Sequence, residues 1–408
     1  MQETLQIIGI PLLKIAVLIG GLMTAAAYLV LLERKMAAWV QDRKGPNRVG
    51  MPLTNFKLGG LGQPLADGLK FLFKEEFTPR HVDVLLYTLA PIVTLTSALA
   101  VYAVIPIGDT LPLQLTANGG PLQLIAAPGC DVGLLYIFAL SSIAVYGVIL
   151  GGWASNSKYS FLGGLRTSAQ MIAYELPLGL GILGVVIVSG SLDLGTIIRQ
   201  QADTGVWNAF AQPLGMVVFV IAAFAEAARL PFDLPECEQE LVGGYHTEYS
   251  GMRLITFLIA EFLHMVTAAM LISILFLGGW HFWGITGSGP IQDDQWAWVY
   301  SLLRVGVLMA KVMGVILFFM LVRWSWPRFR FDQLMALGWK VMLPHGMVNL
   351  ALVAVLCEPV VMAAIGSGRP AVFIAISWGV ALVTWMATAM VQPGDPENRP
   401  QTHVEPSI

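Results

Sequence analysis

Three carboxylates stand inside long apolar runs of this chain: Glu175 in AYELPLGL (173–180), Glu226 in AEAARLPF (225–232) and Glu261 in LIAEFLHM (258–265). An ionised carboxylate at mid-bilayer costs roughly 2.5–3.5 kcal/mol. Acids kept in such places face a polar interior or a proton path. A second set lies between the last two runs. PFDLPECEQELVGGYHTEYSGM (231–252) carries Asp233, Glu236, Glu238, Glu240 and Glu248 with no Lys and no Arg. Taken singly, Glu236, Glu238 and Glu240 read as a solvated acidic loop. Adjacency to three intramembrane acids points to more. Carboxyl groups within a few ångströms of one another cannot all ionise, so their pKa values split and the set shares protons. The chemistry implied is proton storage and transfer along a row, fed by the loop and continued inward by Glu226, Glu261 and Glu175.

Other chemistries are weakly represented. Cys130, Cys237 and Cys357 lie far apart with no C-x-x-C pair, too few for an iron–sulfur cluster. The six histidines show no paired metal-ligand spacing. GGLGQPLADG (59–68) lacks the third glycine of a dinucleotide loop and precedes no βαβ pattern. No metal and no nucleic acid are expected.

The elements that position the acids follow from hydropathy. Of 408 residues, 56% are hydrophobic and 12% charged, with mean hydropathy +0.71. Soluble domains carry about 25% charged residues, so the chain is expected to be an all-α polytopic membrane protein. Apolar runs predict about nine spans near 10–32, 85–107, 132–153, 168–189, 213–230, 253–279, 299–322, 342–365 and 371–391. Helices are required because lipid offers the backbone no hydrogen-bond partners. Residues 1–391 read as one membrane domain, with a core over 10–365 and an extra span at 371–391. The proline-rich stretch 392–408 reads as disordered. Alternate loops carry 17 Lys and Arg against two. The positive-inside rule puts the acidic loop and the other charged loops in the cytoplasm and the N-terminus outside. In the first cytoplasmic loop, Leu61, Leu65, Leu69, Leu72 and Phe73 share a helical face, which suits a helix lying in the membrane interface. Just before it, Glu33, Arg34 and Lys35 mark the end of the first span.

Five stretches together resemble a known family: LLERKMAAWVQDRKGPNRVG (31–50), GQPLADGLKFLFKEEFTP (62–79), AYELPLGL, AEAARLPFDLPECEQELVGGYHTEYSGM (225–252) and WPRFRFDQLMALGWKVMLP (326–344). They look like the H subunit of bacterial NADH-quinone oxidoreductase, the membrane component of respiratory complex I that adjoins the quinone site. The likeness runs in order from about residue 10 to 365. It implies an eight-span core whose cytoplasmic loops clasp a hydrophilic arm. It also implies quinone as substrate, entering from the bilayer between the first span, the sixth span and the interfacial helix. No redox cofactor is expected on this chain; FMN and iron–sulfur clusters belong to partner subunits. Partners implied are the hydrophilic quinone-site and iron–sulfur subunits, and small membrane subunits leading to antiporter-like ones. The location implied is the bacterial inner membrane.

Carried over by motif, Glu33, Arg34, Arg43 and Asp67 would line the quinone chamber. Glu75, Tyr174, Glu175, Glu226, Asp233, Glu236, Glu238, Glu240, Glu248, Tyr249 and Glu261 would form an acidic funnel linking quinone chemistry to proton translocation. Three departures stand out: VGM at 49–51 where the family usually has VGP, Cys237 where a small residue such as Ala is common, and the added residues 366–408. Two rival readings are the membrane anchor of a related energy-converting hydrogenase and a stand-alone cation transporter.

Overall fold

The computed structural model describes residues 9–50, 59–112, 122–234, 238–283, 285–286, 296–359 and 370–390. Its apolar segments are helices, as lipid requires. In chain order these are α1 (Ile10–Val40), α2 (Gln63–Phe73), α3 (Val84–Ala100), α4 (Gly133–Ala154), α5 (Lys158–Ser189), α6 (Leu194–Thr204), α7 (Asn208–Ala211), α8 (Pro213–Glu226), α9 (Glu238–Leu241), α10 (Gly251–Leu275), α11 (Ala297–Ser325), α12 (Phe331–Ala336), α13 (Leu343–Leu356) and α14 (Pro370–Met390). A π-helical segment, Leu337–Met342, joins α12 to α13 into one apolar rod. One small hairpin, β1 (Thr110–Leu111) with β2 (Leu122–Gln123), pairs antiparallel.

Among the described residues eight helices are long and apolar enough to cross a membrane. α8 is apolar but only 14 residues long. Eight of the nine expected spans are thus long enough to cross, the fifth, α8, is shorter than expected, and α2 is the expected amphipathic helix, with Leu65, Leu69, Leu72 and Phe73 exposed. α10 is the axis of the bundle: 78% of its apolar window is buried inside the protein, against 11% for α14. α3 packs on α4, α5 on α8 and α13, and α10 on α1, α3 and α11.

Two boundaries differ from expectation. α1 continues through the charged Glu33–Lys35 to Val40 and stops only where Asp42 adopts φ +55°. Charges do not end a helix; backbone geometry does. α5 begins at Lys158, ten residues before the predicted span, because its first turns are polar but still helical. Glu175 therefore lies mid-helix rather than near the start of a span beginning at 168.

The end of α8 opposite Glu226 is held by buried amides. Asn208 Nδ2 donates to the Leu275 carbonyl (2.8 Å) and Gln201 Nε2 to that of Ile274 (3.0 Å), satisfying the last turn of α10. Gln212 Nε2 donates to the Gly184 carbonyl (3.1 Å), and the Asn349 side chain fills the space beside Gly184 and Gly215.

Candidate functional site: a buried carboxylate–guanidinium cluster

The acids are not bare, which corrects the impression that local sequence leaves. Glu33, on α1, accepts from Arg229 Nη1 at 3.3 Å and from Arg323 Nη1. Arg229 also places Nε 3.1 Å from Glu261 Oε1 and lays its guanidinium over the Phe262 ring at 4.4 Å. The side chains of Glu33, Glu261 and Arg229 are 14%, 12% and 7% exposed, so the pairing is screened little by water. The two guanidiniums come from the residues just after α8 and from the end of α11, 196 and 290 positions from Glu33. No sequence window could show this.

A sharp turn delivers Arg229. α8 ends at Glu226, and Ala228 follows in the left-handed region at φ +48°. Helices commonly end on such a residue, usually glycine. The turn sends the chain back so that Arg229 faces α1 and α10. Asp233 follows, its Oδ2 3.4 Å from Arg328 Nη2. Burial raises the Asp233 carboxyl above the usual carboxylate range, with Arg328, Arg323, Arg229 and His246 pulling the other way.

Deeper in the bundle Glu175 accepts a hydrogen bond from Ser142 of α4. Glu226 lines a small enclosed cavity with Ser141 of α4 and His264 of α10, and is close enough to Glu175 for the two to interact electrostatically. The structure thus brings together Glu33 and Glu261, and separately Glu175 and Glu226. The second pair connects to the first through α8 and α10.

The rest of the expected set is placed as follows. Glu240, half exposed, pairs with Arg166 of α5 at 2.5 Å. Glu248 presents its backbone carbonyl to the Tyr87 hydroxyl at 2.7 Å, while the Tyr249 hydroxyl donates to the Tyr87 carbonyl at 3.1 Å. The two tyrosine rings stack at 4.1 Å, tying the acidic loop to the start of α3. Burial pushes the Tyr249 phenol up from its ordinary value. Tyr174 is fully buried and spends its hydroxyl on the Leu334 carbonyl (2.8 Å), anchoring α12. Glu75 is exposed. Its neighbour Glu76 instead accepts from the Met252 N–H (3.0 Å) at the start of α10. Arg34 pairs with Asp67 at 2.7 Å, and Gln63 also reaches Asp67. Arg43 is exposed and bonds Gln41. Glu236 lies outside the described residues, and of Glu238 only the backbone, in α9, is described.

Sequence reasoning missed Arg229, Arg323, Arg328, Ser141, Ser142 and His264. Intramembrane Arg229 beside Glu226 was the one available signal. Among the described residues no group of His, Cys, Asp and Glu could hold a metal ion.

An apolar groove of about 930 Å³ runs along α1, bounded by α10 and α11. Leu18, Leu32, Met270 and Met313 line its length; Lys35, Trp39 and Leu61 stand at one end and Lys14 and Gln123 at the other. Glu33 of the ion cluster sits on the same helix, between groove residues Leu32 and Lys35.

Apolar helices around paired interior charges define a multi-pass helical membrane protein that keeps ionisable groups away from lipid. A protein-family profile described as NADH dehydrogenase matches residues 13–354. The NADH-quinone oxidoreductase H subunit of Syntrophotalea carbinolica is 44% identical over 356 residues, covering 87% of this chain and 98% of its own length. An H subunit of the same oxidoreductase from Geobacter metallireducens is 47% identical over 343 residues (84% and 95%), and that of Flavobacterium johnsoniae 42% over 353 (86% and 96%). The chain belongs to the NADH-quinone oxidoreductase H subunit family and is a membrane component of that oxidoreductase complex, complex I.

Proposed function

We propose that this chain forms the membrane side of the quinone chamber and couples quinone reduction to proton translocation. The observation that carries the reading is the 930 Å³ apolar groove on the helix that also bears Glu33, one corner of the buried ion cluster. An isoprenoid tail needs apolar walls, and a quinone headgroup needs hydrogen-bond donors at the end of them. Arg34, Arg43 and Asp67, with Glu33, supply polar groups at that end. The groove lies between α1, α10 and α11, which accords with entry from the bilayer between the first and sixth spans.

In this reading the acidic funnel comprises Glu75, Tyr174, Glu175, Glu226, Asp233, Glu236, Glu238, Glu240, Glu248, Tyr249 and Glu261. Negative charge on reduced quinone shifts proton occupancy in the loop acids, and Glu175, Glu226 and Glu261 relay the shift. The energy scale is set by the membrane: moving one charge across about 100 mV costs about 2.3 kcal/mol. FMN and iron–sulfur clusters reside in partner subunits, and small membrane subunits carry the signal toward antiporter-like ones. Residues 1–391 act as one membrane domain in the bacterial inner membrane, with the charged loops cytoplasmic and the N-terminus outside.

Two measurements on the assembled complex in proteoliposomes test the two halves. A photoreactive quinone is expected to label peptides containing Tyr28 or Met270; labelling confined to other subunits overturns the chamber. Glu175→Gln and Glu240→Gln are expected to impair pumping and quinone-linked turnover while assembly persists. Wild-type coupling in both overturns the relay.

A further inference from the structure

His264 is the one titratable group deep in α10 that the pairing described above leaves idle. It follows Glu261 by three residues, so the two side chains share a helix face with Cβ atoms about 5–6 Å apart. Its Nε2 is buried and has no hydrogen-bond partner among the described residues. A buried ring nitrogen in that state is costly, and native interiors rarely tolerate one without an ordered water.

The surroundings offer a place for that water. His264, Glu226, Ser141 and Thr267 line an enclosed cavity of about 20 Å³ whose remaining walls are apolar. One water needs roughly 10–15 Å³ by this measure and two to four polar partners. Glu226, the imidazole and the Ser141 oxygen provide three. The Thr267 hydroxyl gives its proton to the Leu263 carbonyl (3.0 Å), and the Ser141 hydroxyl lies within reach of both the Phe138 carbonyl (3.1 Å) and Glu226, which leaves an oxygen lone pair on each as an acceptor.

We propose that His264 and Glu226 share one proton across a water held in this cavity, making His264 the link between the Glu175–Glu226 pair and Glu261. The step balances. The Glu226 O–H bond breaks as its proton passes to the water; the water releases one of its own protons to Nε2, where an N–H bond forms. A carboxylic acid and a neutral imidazole become a carboxylate and an imidazolium. The pair is neutral before and after, so the proton moves without placing net charge in the membrane interior. The charged group that acts on the pair is Glu175 from α5; Glu261, one helical turn before His264 on α10, pairs with Arg229 from the turn after α8. A change in Glu175 shifts Glu226 electrostatically. The shared proton carries that shift onto the face of α10 that bears Glu261. His264 acts through Glu226 and is a positioning and relay residue.

The inference rests on the proton-coupling reading above, and the test separates the two. The assembled complex carrying His264→Gln, His264→Leu or His264→Glu is reconstituted in proteoliposomes, with rates normalised to NADH oxidation by a water-soluble acceptor. Gln keeps the size and hydrogen bonding of the side chain but cannot carry a proton; Glu can. Pumping and quinone-linked turnover are expected to fall about tenfold or more in the Gln and Leu variants, with partial recovery in the Glu variant. Wild-type pumping in His264→Gln, or a Glu variant no better than Leu, overturns the inference. Glu175→Gln and Glu240→Gln are the companions: if both also pump normally the coupling reading falls, whereas their failure beside a normal His264→Gln sinks the His264 link alone. If the variants do not assemble, density in the wild-type complex decides. A water within hydrogen-bond reach of both His264 Nε2 and Glu226 is expected, and an empty cavity refutes the proposal.

Discussion

Replacing Arg229 by Met keeps most of the side-chain volume and removes the charge that joins α1 to α10. Two carboxylates at 3.1 and 3.3 Å lose their shared partner, while Arg323 stays with Glu33. At an effective dielectric of about 20, each pair at that distance attracts by about 5 kcal/mol before desolvation is counted. Desolvation cancels much of this in the intact cluster, but removing one partner leaves the penalty behind. The expected net loss is about 3–5 kcal/mol. Removing the Glu261 charge as well withdraws one of the two carboxylates that lost this guanidinium. Arg229→Met with Glu261→Gln is therefore expected to be less damaging than Arg229→Met alone, with a coupling energy of about 1–3 kcal/mol. Arg229→Lys, which keeps a charge but not the two-sided fork, should fall between wild type and Met. The assay is thermal dissociation of the assembled complex in detergent for wild type, Arg229→Met, Glu261→Gln, the double variant and Arg229→Lys. Additive effects in the cycle, or an Arg229→Met complex as stable as wild type, refute the argument that this guanidinium holds the cluster.

Three further outcomes follow from local geometry. Ala228→Gly relieves a left-handed residue at φ +48° and is expected to raise the dissociation temperature, by a gain of about 0.5–1 kcal/mol. Gly163→Ala places a Cβ 2.6 Å from the Gly244 carbonyl carbon and the Tyr245 nitrogen, backbone that cannot step aside cheaply. A loss of about 1–3 kcal/mol and faster proteolysis of the loop beginning at 238 are expected. Asp233 has its carboxyl raised by burial, so its contribution to stability is fully present below the ordinary value of 3.8 and is lost as pH rises through the raised one. Thermal melts of wild type and Asp233→Asn across that window should diverge, with wild type losing stability relative to the variant as pH increases.

How much of this was legible in the chain depends on the range of each interaction. The spans were readable because hydropathy is a local property, and Glu175, Glu226 and Glu261 stood out because each contradicts its own neighbourhood. The pairing was not readable. Arg323 reads as a topology charge at the end of a span, and only the folded bundle sets it against Glu33, 290 positions earlier. Glu75 and Glu76 are indistinguishable in sequence and both exposed, yet only Glu76 accepts from the first turn of α10, because capping depends on where two distant backbones meet. Tyr174 and Glu175 are adjacent in sequence, but successive residues on a helix point about 100° apart, so the Tyr174 hydroxyl donates to the Leu334 carbonyl while Glu175 accepts from Ser142. Motif likeness names residues; it does not say which way they face.

The shortness of α8 has a consequence for what surrounds its ends. Fourteen residues rise about 21 Å, well under the ~30 Å hydrocarbon thickness of a bilayer. The buried amides of Asn208, Gln212 and Asn349 sit past one end, and Glu226 closes the other. A helix that short cannot span the apolar layer by itself, so the polar groups at its two ends are sheltered by the neighbouring helices rather than by water.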